Sequence, residues 1–312
     1  MSRWKLRSVP FKYQLSDWTL LSIPLNLQCR SVPLFGEPAT QTIQVPPPSE
    51  LEQGSQGFLI RALPVVDELP KLSRQDGYLC YVPLQYEHCY IDLTLTLETY
   101  QKKFSSKTRS TINRKIRKYA EHCGGTINWR KFETPEQVRE FFSLARSVSK
   151  LSYQERLLDA GLPDSEAFIQ QAEALAADNH LRAYILFDGE RPVSYLYCPV
   201  EQGVLIYAYL GYDPEYMKLS VGTVLQWLAL ESLFGEACFT AFDFTEGQSD
   251  HKRLFATHQT KRANVFLVKA SLRSQLIIHS HLRMDQFSSW LGVTLDRLGV
   301  RAKVKRLLRF GR

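Results

Sequence analysis

Titratable side chains are concentrated between residues 242 and 253, directly after a short apolar run. Four of them, Asp243, Glu246, Asp250 and His251, are of the types that accept a proton from an amine or hydroxyl nucleophile, which is the task of a general base. Lys252 or Arg253 carries a positive charge that suits contact with a phosphate or with a polarised carbonyl oxygen. Of these residues, Asp243, His251 and Lys252 are the candidates for catalytic roles. The structural alternative is a polar surface turn with a capping aspartate.

A strand, a loop and an apolar helix follow one another between residues 204 and 235. The first N–H groups of a helix have no intrahelical partner and lie at the positive end of its dipole, which suits a pyrophosphate. Small residues at this point let a ligand approach the backbone. The sequence therefore predicts a phosphate-binding site at four consecutive residues, Ser220, Val221, Gly222 and Thr223. In the alternative, Ser220 only caps a core helix.

A third charged feature lies between residues 98 and 122, where the sequence predicts one helix with Thr96 as its N-cap. Its apolar residues recur mostly four apart and form one stripe. The remaining surface is strongly basic, with Lys102, Lys103, Lys107, Arg109, Arg114, Lys115, Arg117 and Lys118. An anionic substrate, a membrane or RNA would fit this surface, although no RNA-binding motif accompanies it. The alternative is a solvated basic face.

The C-terminal segment 300–312 carries six basic residues and no acidic one. Val300, Val304, Leu307 and Leu308 share one face if the segment is helical. This pattern is typical of an interfacial helix on anionic lipid. A frayed basic tail is the alternative.

Composition narrows the classes of partner and compartment. The chain has 312 residues, a formal net charge of +7 and six scattered cysteines. No apolar run reaches the roughly 18 residues of a membrane span, and no secretory leader is recognised. Reduced thiols and a cytoplasmic location, peripheral to the inner face of the membrane through residues 300–312, are therefore expected. No metal site is expected, because His279 and His281 lack companion ligands.

The elements that must position these residues form an α/β pattern with a mixed sheet. Strands are predicted at 126–132, 181–188, 192–199, 204–211, 239–244 and 264–270. Helices are predicted at 135–149, 165–178 and 222–235, and the segment 212–220 reads as a loop. The last 30 residues also read as helical.

Four stretches in this order resemble the CelD/BcsL-type acetyltransferase-like family of the GNAT superfamily. Residues 104–118 are similar to its basic helix, and residues 151–158 to its "KTYQxRLL" segment. Residues 211–225 resemble its strand–loop–helix. Residues 242–252 resemble its "FDFxxGxxxYK" loop, with histidine at position 251 in place of the usual tyrosine. The resemblance covers roughly residues 57–275.

The resemblance implies a GNAT-like mixed-sheet α/β/α fold. A degenerate N-terminal GNAT-like half is expected at 1–97, a complete acyltransferase-like domain at 98–275 and a basic helical tail at 276–312. It also implies acetyl-CoA or another acyl-CoA as donor, and a place in exopolysaccharide or cell-envelope biosynthesis. The usual phosphate loop reads Gln/Arg-x-x-Gly-x-Gly/Ala, whereas this chain has Met217 and Ser220 in the first two marked positions.

Three functional hypotheses follow. The leading one is transfer of an acyl group from CoA to an amine or hydroxyl of a sugar or envelope precursor, with strand 204–211 along the pantetheine arm. If His251 is the base, its ordinary pKa of about 6.5 should appear in the rate profile. A FemAB-like transferase would instead take its donor from aminoacyl-tRNA, bound by the basic helix. In the third hypothesis the protein is a catalytically inactive membrane-peripheral scaffold.

Overall fold

The computed structural model describes residues 4–15, 18–36, 43, 45–151, 161–247 and 249–297. The chain divides into two compact units, one made of Met1–Glu87 with Thr260–Arg312 and the other of His88–Gln259. The division of the sequence at residues 97 and 275 stays a prediction. Two stretches singled out in the sequence, 152–158 and 300–312, lie outside the described residues.

The described residues form twelve β-strands and seven α-helices. The strands are β1 (Lys5–Leu15), β2 (Trp18–Ser31), β3 (Gly57–Pro64), β4 (Leu72–Gln75), β5 (Tyr78–Asp92), β6 (Asn128–Phe132), β7 (Leu181–Asp188), β8 (Arg191–Glu201), β9 (Val204–Ile206), β10 (Tyr209–Tyr212), β11 (Ala241–Asp243) and β12 (His258–Lys269). The helices are α1 (Leu97–Lys102), α2 (Ser106–His122), α3 (Pro135–Ser149), α4 (Glu166–Ala177), α5 (Val221–Glu236), α6 (Asp250–Phe255) and α7 (Leu272–Arg297). None of the helices described is long and apolar enough to cross a membrane.

The first unit is a mixed sheet covered by α7. Its strands follow the order β1-β2-β3-β12-β5, with β4 paired to β5. The β2–β3 pair is parallel, whereas β1–β2 and β3–β12 are antiparallel. Ile277 and Ile278 of α7 are buried among residues of this sheet, and Tyr13 donates a hydrogen bond to the Ile277 carbonyl at 2.9 Å.

The second unit is a three-layer α/β/α structure. From the end of β5 its strands follow the order β5-β11-β9-β8-β7-β6, and β10 pairs with β8. Both faces of β7 are buried: Ile185 packs with the α3 and α4 side, and Leu186 with the α2 and α5 side. A strand covered on both faces reads as a continuous apolar run, as β7 does. The predicted α/β class with a mixed sheet is confirmed.

Several predicted elements agree closely with the structure. Helix α3 spans the predicted residues, with proline in its first turn and a capping box between Thr134 and Gln137. The predicted strands 181–188 and 192–199 correspond to β7 and β8, which a turn joins, and Gly189 takes the positive φ that such a turn needs. Thr96 accepts a hydrogen bond from the Thr99 backbone, as expected of an N-cap.

Three predicted elements differ from the structure. The basic helix is broken, because Ser105 caps a new helix, α2, by accepting from the Thr108 backbone. The predicted strand 204–211 is two strands, β9 and β10, which pair with different neighbours. The predicted loop before α5 contains a 3-10 helix, Pro214–Leu219, and α6 was not predicted.

Candidate functional site

Two neighbouring strands of the second unit separate beside the start of α5. Strand β9 runs parallel to β11, and the Tyr207 backbone N–H still donates to the Asp243 carbonyl at 2.8 Å. Beyond this point β10 pairs with β8, and β11 ends. One edge of β10 is therefore not used by another described strand. Its backbone groups are available to an extended ligand that carries amides.

The turn into α5 has a strained backbone at one residue. Ser220 adopts φ 56° and ψ 37°, the left-handed region that favours glycine. Its side chain makes no capping hydrogen bond, so the alternative in which Ser220 serves only as a side-chain cap is not supported. Its carbonyl instead accepts from the N–H groups of Thr223 and Val224, at 2.9 and 3.1 Å.

A cavity of about 280 Å³ opens at this turn. It is lined by Tyr207, Leu210, Tyr212, Met217, Ser220, Val221, Gly222, Thr223 and His251. Among the hydrogen bonds of the described residues, none uses the N–H of Val221 or Gly222. These two donors lie in the first turn of a 16-residue helix that has no acidic residue there. The site therefore combines unpaired donors with the positive end of a helix dipole.

Basic side chains of α2 lie close to this turn. Lys118 donates to the carbonyl of Lys218 in the 3-10 helix at 3.1 Å. The charge of Lys115 acts on His251 in the cavity wall. The ion pairs that α2 forms among the described residues involve Arg117 and His122. Among the described residues, no carboxylate pairs with Lys115 or Lys118, which favours an anionic ligand.

His251 is held by a buried amide. Its Nε2 lies 2.6 Å from Oε1 of Gln226, which is fully buried in α5. Because a carbonyl oxygen only accepts, Nε2 carries the proton, and Nδ1 of a neutral ring is then a proton acceptor. The Phe255 ring lies 4.8 Å from the imidazole and limits its movement. The ring nitrogen required of a base is thereby defined.

Burial, followed by the charges of Lys115 and Lys252, lowers the pKa of His251 to about 4. This value differs from the ordinary pKa of about 6.5 expected from the sequence, because that value belongs to a solvated imidazole. The neutral form is the one present from pH 5 upward. His251 is thus in its base form throughout the neutral range.

Asp243 belongs to a different cluster. Its Oδ1 lies 2.6 Å from Nε2 of the buried His88 and accepts from the Thr245 N–H at 2.6 Å. Thr245 itself has a positive φ of 59°. Asp243 does not line the cavity. Its carboxylate satisfies neighbouring donors at the end of β11, which is the role of a buried structural acceptor.

Lys252 folds back over the loop that follows β11. Its Nζ donates to the Glu246 carbonyl at 2.8 Å. Burial lowers the pKa of Lys252, while Cys89, Asp243 and Glu246 oppose that shift. The side chain is outside the cavity lining, although its charge acts on His251. The structure thus brings five predicted residues together, Ser220 to Thr223 and His251, and leaves Asp243 and Lys252 in the adjoining cluster.

Three residues that shape the candidate site or its neighbouring cluster were not predicted from the sequence. Gln226 carried a signal, because it is the polar residue within the otherwise apolar run Val224–Leu230 and a buried polar residue needs a partner. Lys115 was one of many basic residues, and nothing local distinguished it. His88 gave no signal, since only the pairing of β5 with β11 brings it to Asp243. Within the described residues, no His, Cys, Asp or Glu side chains are grouped to hold a metal.

Residues 106–253 match the family model described as "Acetyltransferase (GNAT) domain". This match covers α2, the diverging strands, the turn into α5 and most of α6. The fold is GNAT-like. The narrower CelD/BcsL-type resemblance is not tested by this match and stays a prediction. The search of curated proteins found no match.

Solved structures with a similar arrangement include three with low sequence identity. FemX is 11% identical to this chain, and the similar region covers 72% of this chain and 75% of FemX, with a TM-score of 0.47. L-PGS from Bacillus licheniformis is 16% identical, with coverage of 74% and 73% and a TM-score of 0.45. A GCN5-related N-acetyltransferase from Kribbella flavida is 11% identical, with coverage of 62% of each chain and a TM-score of 0.34. All three TM-scores are below 0.5, so these similarities carry no argument about function.

Proposed function

We propose that this chain is an acyltransferase that takes its acyl group from acetyl-CoA or another acyl-CoA. One observation carries the proposal: the predicted phosphate-binding residues and His251 line a single cavity at the start of α5. The match of residues 106–253 to a GNAT domain supports the same reaction class. The acceptor is an amine or hydroxyl of a sugar or cell-envelope precursor, as in exopolysaccharide biosynthesis.

Donor binding would use three parts of the cavity. The N–H groups of Val221 and Gly222 face a pyrophosphate, and Ser220 and Thr223 flank them. Lys115 and Lys118 add positive charge. The free edge of β10 and the apolar walls at Leu210 and Tyr212 receive the pantetheine arm, whose amides pair with backbone groups.

The transfer step needs a base and a place for the leaving thiolate. The nucleophile attacks the thioester carbonyl, its carbon–nitrogen or carbon–oxygen bond forms, and the carbon–sulfur bond breaks. Nδ1 of His251 takes the proton of the nucleophile, directly or through water. The imidazolium then returns this proton to the leaving thiolate, directly or through water, so that CoA leaves as the thiol and His251 is neutral again. Lys252 and Asp243, which lie outside the cavity lining, are proposed to orient the loop that leads to His251.

A second candidate donor is aminoacyl-tRNA. This donor is favoured by the exposed basic residues of α2, the helix whose Lys118 contacts the 3-10 helix before α5. These basic residues are Lys107, Arg109, Arg114, Arg117 and Lys118. Binding of tRNA would weaken steeply with salt because phosphate contacts release counterions. Tight tRNA binding without any CoA binding would favour this donor over the leading one.

The first experiment is calorimetric titration of acetyl-CoA and free CoA into the wild type, Gly222→Glu and Gly222→Ala. A Cβ at residue 222 would lie 3.4 Å from Leu210 Cδ2 and 3.5 Å from Tyr212 Cδ1, so alanine is accommodated. Glutamate adds bulk and negative charge at the proposed pyrophosphate position. We expect the alanine control to bind like the wild type and the glutamate variant to lose at least about 100-fold in affinity.

The alternative outcomes are distinct. Equal binding by all three proteins would move the CoA site away from α5. Absence of CoA binding by the wild type would contradict the leading proposal and leave the tRNA-dependent and inactive scaffold hypotheses, which the tRNA titration separates.

A further inference from the structure

Helix α7 has a second apolar surface that faces solvent. Four large apolar side chains of α7 are exposed: Leu272 at 88%, Leu276 at 73%, Phe287 at 51% and Trp290 at 61%. At 3.6 residues per turn, their positions fall within an arc of about 60° around the helix. The rings of Phe287 and Trp290 stack with centroids 5.9 Å apart. We refer to these four residues as the α7 stripe.

The α7 stripe lies opposite the face that packs on the first unit. Ile277 and Ile278 are buried in that unit, and Leu282 and Met284 pack partly against the same core. These positions are on the other side of the helix from the stripe. The stripe therefore contributes nothing to the described core. The stripe consists of two apolar pairs, one at each end of the described helix, with the polar His279 and Arg283 between them on the same side. Exposed apolar surface that serves no core is a sign of an interaction surface.

Charge is distributed unevenly around α7. Arg283 is exposed and lies within the arc of the stripe, and Arg273 is exposed beside it. Asp285 lies on the opposite side, where it pairs with Lys71 at 3.1 Å. The sequence then continues with residues 298–312, which carry six basic residues and no acidic one. Apolar and cationic groups thus occur together, while the described acidic group of the helix points away.

We propose that the α7 stripe is a docking surface for an anionic lipid bilayer. Tryptophan and phenylalanine are favoured at the boundary between headgroups and acyl chains. Arginine beside them meets lipid phosphates, and a neighbouring cationic segment adds attraction to anionic lipid. The helix lies along the surface without crossing it. This proposal is independent of the acyl donor, since α7 and the cavity belong to different units.

The test is sedimentation of the full chain with vesicles of phosphatidylcholine alone or mixed with phosphatidylglycerol. The variant is Phe287→Ser with Trp290→Ser. The matched control is Leu20→Ser with Leu21→Ser, which removes two apolar side chains of similar exposure, 47% and 54%, from β2. We expect wild type and control to bind the mixed vesicles and the stripe variant to lose about tenfold or more in partitioning. All three should show the same unfolding midpoint.

A second measurement places the contact. Lipids brominated in the acyl chain quench a tryptophan that reaches them, and Trp290→Phe keeps an aromatic ring while removing that fluorophore. We expect this variant to bind as the wild type does and to lose most of the quenching.

Three outcomes would overturn the proposal: no binding to mixed vesicles, equal binding by the stripe variant, or equal binding to uncharged vesicles. If the wild type fails to bind vesicles and is instead a dimer that the stripe variant disrupts, the stripe contacts a second copy of the chain. Sedimentation velocity distinguishes that result.

Discussion

The start of α5 and the end of β11 are two charged regions of the same unit, and they use their polar groups in opposite ways. At β11, His88, Asp243 and Thr245 satisfy one another at 2.6 Å separations. At α5, the N–H groups of Val221 and Gly222 and the nearby lysines of α2 have no such neutralising partner within the part of the chain that the structure describes. The polar groups of the first region contact one another, whereas those of the second suit an anionic ligand.

This difference shows why the number of titratable residues is a poor guide to a site. The short segment 242–253 holds six titratable side chains. Only His251 of the three predicted catalytic residues lines the cavity. The segment 220–223 contains no titratable side chain. Its binding capacity comes from backbone donors, which every sequence has and which only the fold exposes.

The largest expected effect is at His251. Replacement by alanine should lower kcat by about 10²- to 10⁴-fold, as loss of a general base does, with the donor Kd changed by less than about threefold. The wild-type rate should be flat from pH 5 to 8 and fall only as pH approaches about 4, where the imidazole becomes protonated. Thiol release measured across this range checks both points. A loss under about threefold would remove His251 from the chemistry.

Asp243 should act mainly on stability. Asp243→Ala removes the acceptor of His88 and of the Thr245 N–H, which should cost about 1–3 kcal/mol of unfolding free energy. Asp243→Asn retains an oxygen acceptor and should therefore keep part of the unfolding free energy that the alanine variant loses. Asp250→Asn is the control, because that side chain is 97% exposed and should change stability by less than about 0.5 kcal/mol. Urea unfolding gives the values; unchanged stability of the alanine variant would show that the cluster is not structural.

Gln226 should set the titration of His251. Gln226→Glu places a carboxylate against Nε2, stabilises the imidazolium and should move the acid limb of the rate profile upward by about one pH unit or more. At pH 5 this variant should therefore be slower relative to its own rate at pH 8. Methionine has a similar length and no charge, so the acid limb of the Gln226→Met rate profile should not move to higher pH. Identical profiles for both variants would mean that Gln226 does not control the base.

Lys115 should have the smallest effect. Lys115→Ala should raise the donor Kd by about fivefold, equivalent to about 1 kcal/mol, and less at high salt. The same change should also move the acid limb of the pH–rate profile to slightly higher pH, because the charge of Lys115 disfavours the imidazolium form of His251. Arg117→Ala is the control, since Arg117 already pairs with Glu121 on the same helix. Equal effects of the two changes would indicate a general field of α2 instead of a specific contact.

Some secondary-structure elements could be predicted from the sequence because the residues that determine them lie within one short stretch of the chain. Helix α3 was predicted with its bounds because proline follows Thr134 at a position where a helix start tolerates it. Strand β7 was also predicted with its bounds. The proposed phosphate-binding turn was located from a local pattern as well, the change from strand to apolar helix at residues 211–222, and its binding of phosphate stays a prediction.

Features that depend on distant partners were not predictable in this way. Every residue from Val204 to Leu210 is compatible with a strand, and the interruption after Ile206 arises because β11 pairs with β9 only as far as Asp243. The Gln226–His251 hydrogen bond joins α5 to α6, 25 residues apart. The pKa of His251 depends on burial and on the charge of Lys115, which lies in the distant helix α2. In each case the deciding neighbour is set by tertiary packing.

Ser220 has a consequence for how such proteins are found. Its left-handed backbone, which costs an ordinary residue about 1–2 kcal/mol, reproduces the turn that glycine makes without strain. The shape of the turn is therefore enforced by what surrounds it: the Met217 carbonyl that receives the Ser220 N–H and the two helical donors on its own carbonyl. A search by glycine pattern would pass over this chain, whereas a search by backbone torsion would retrieve it.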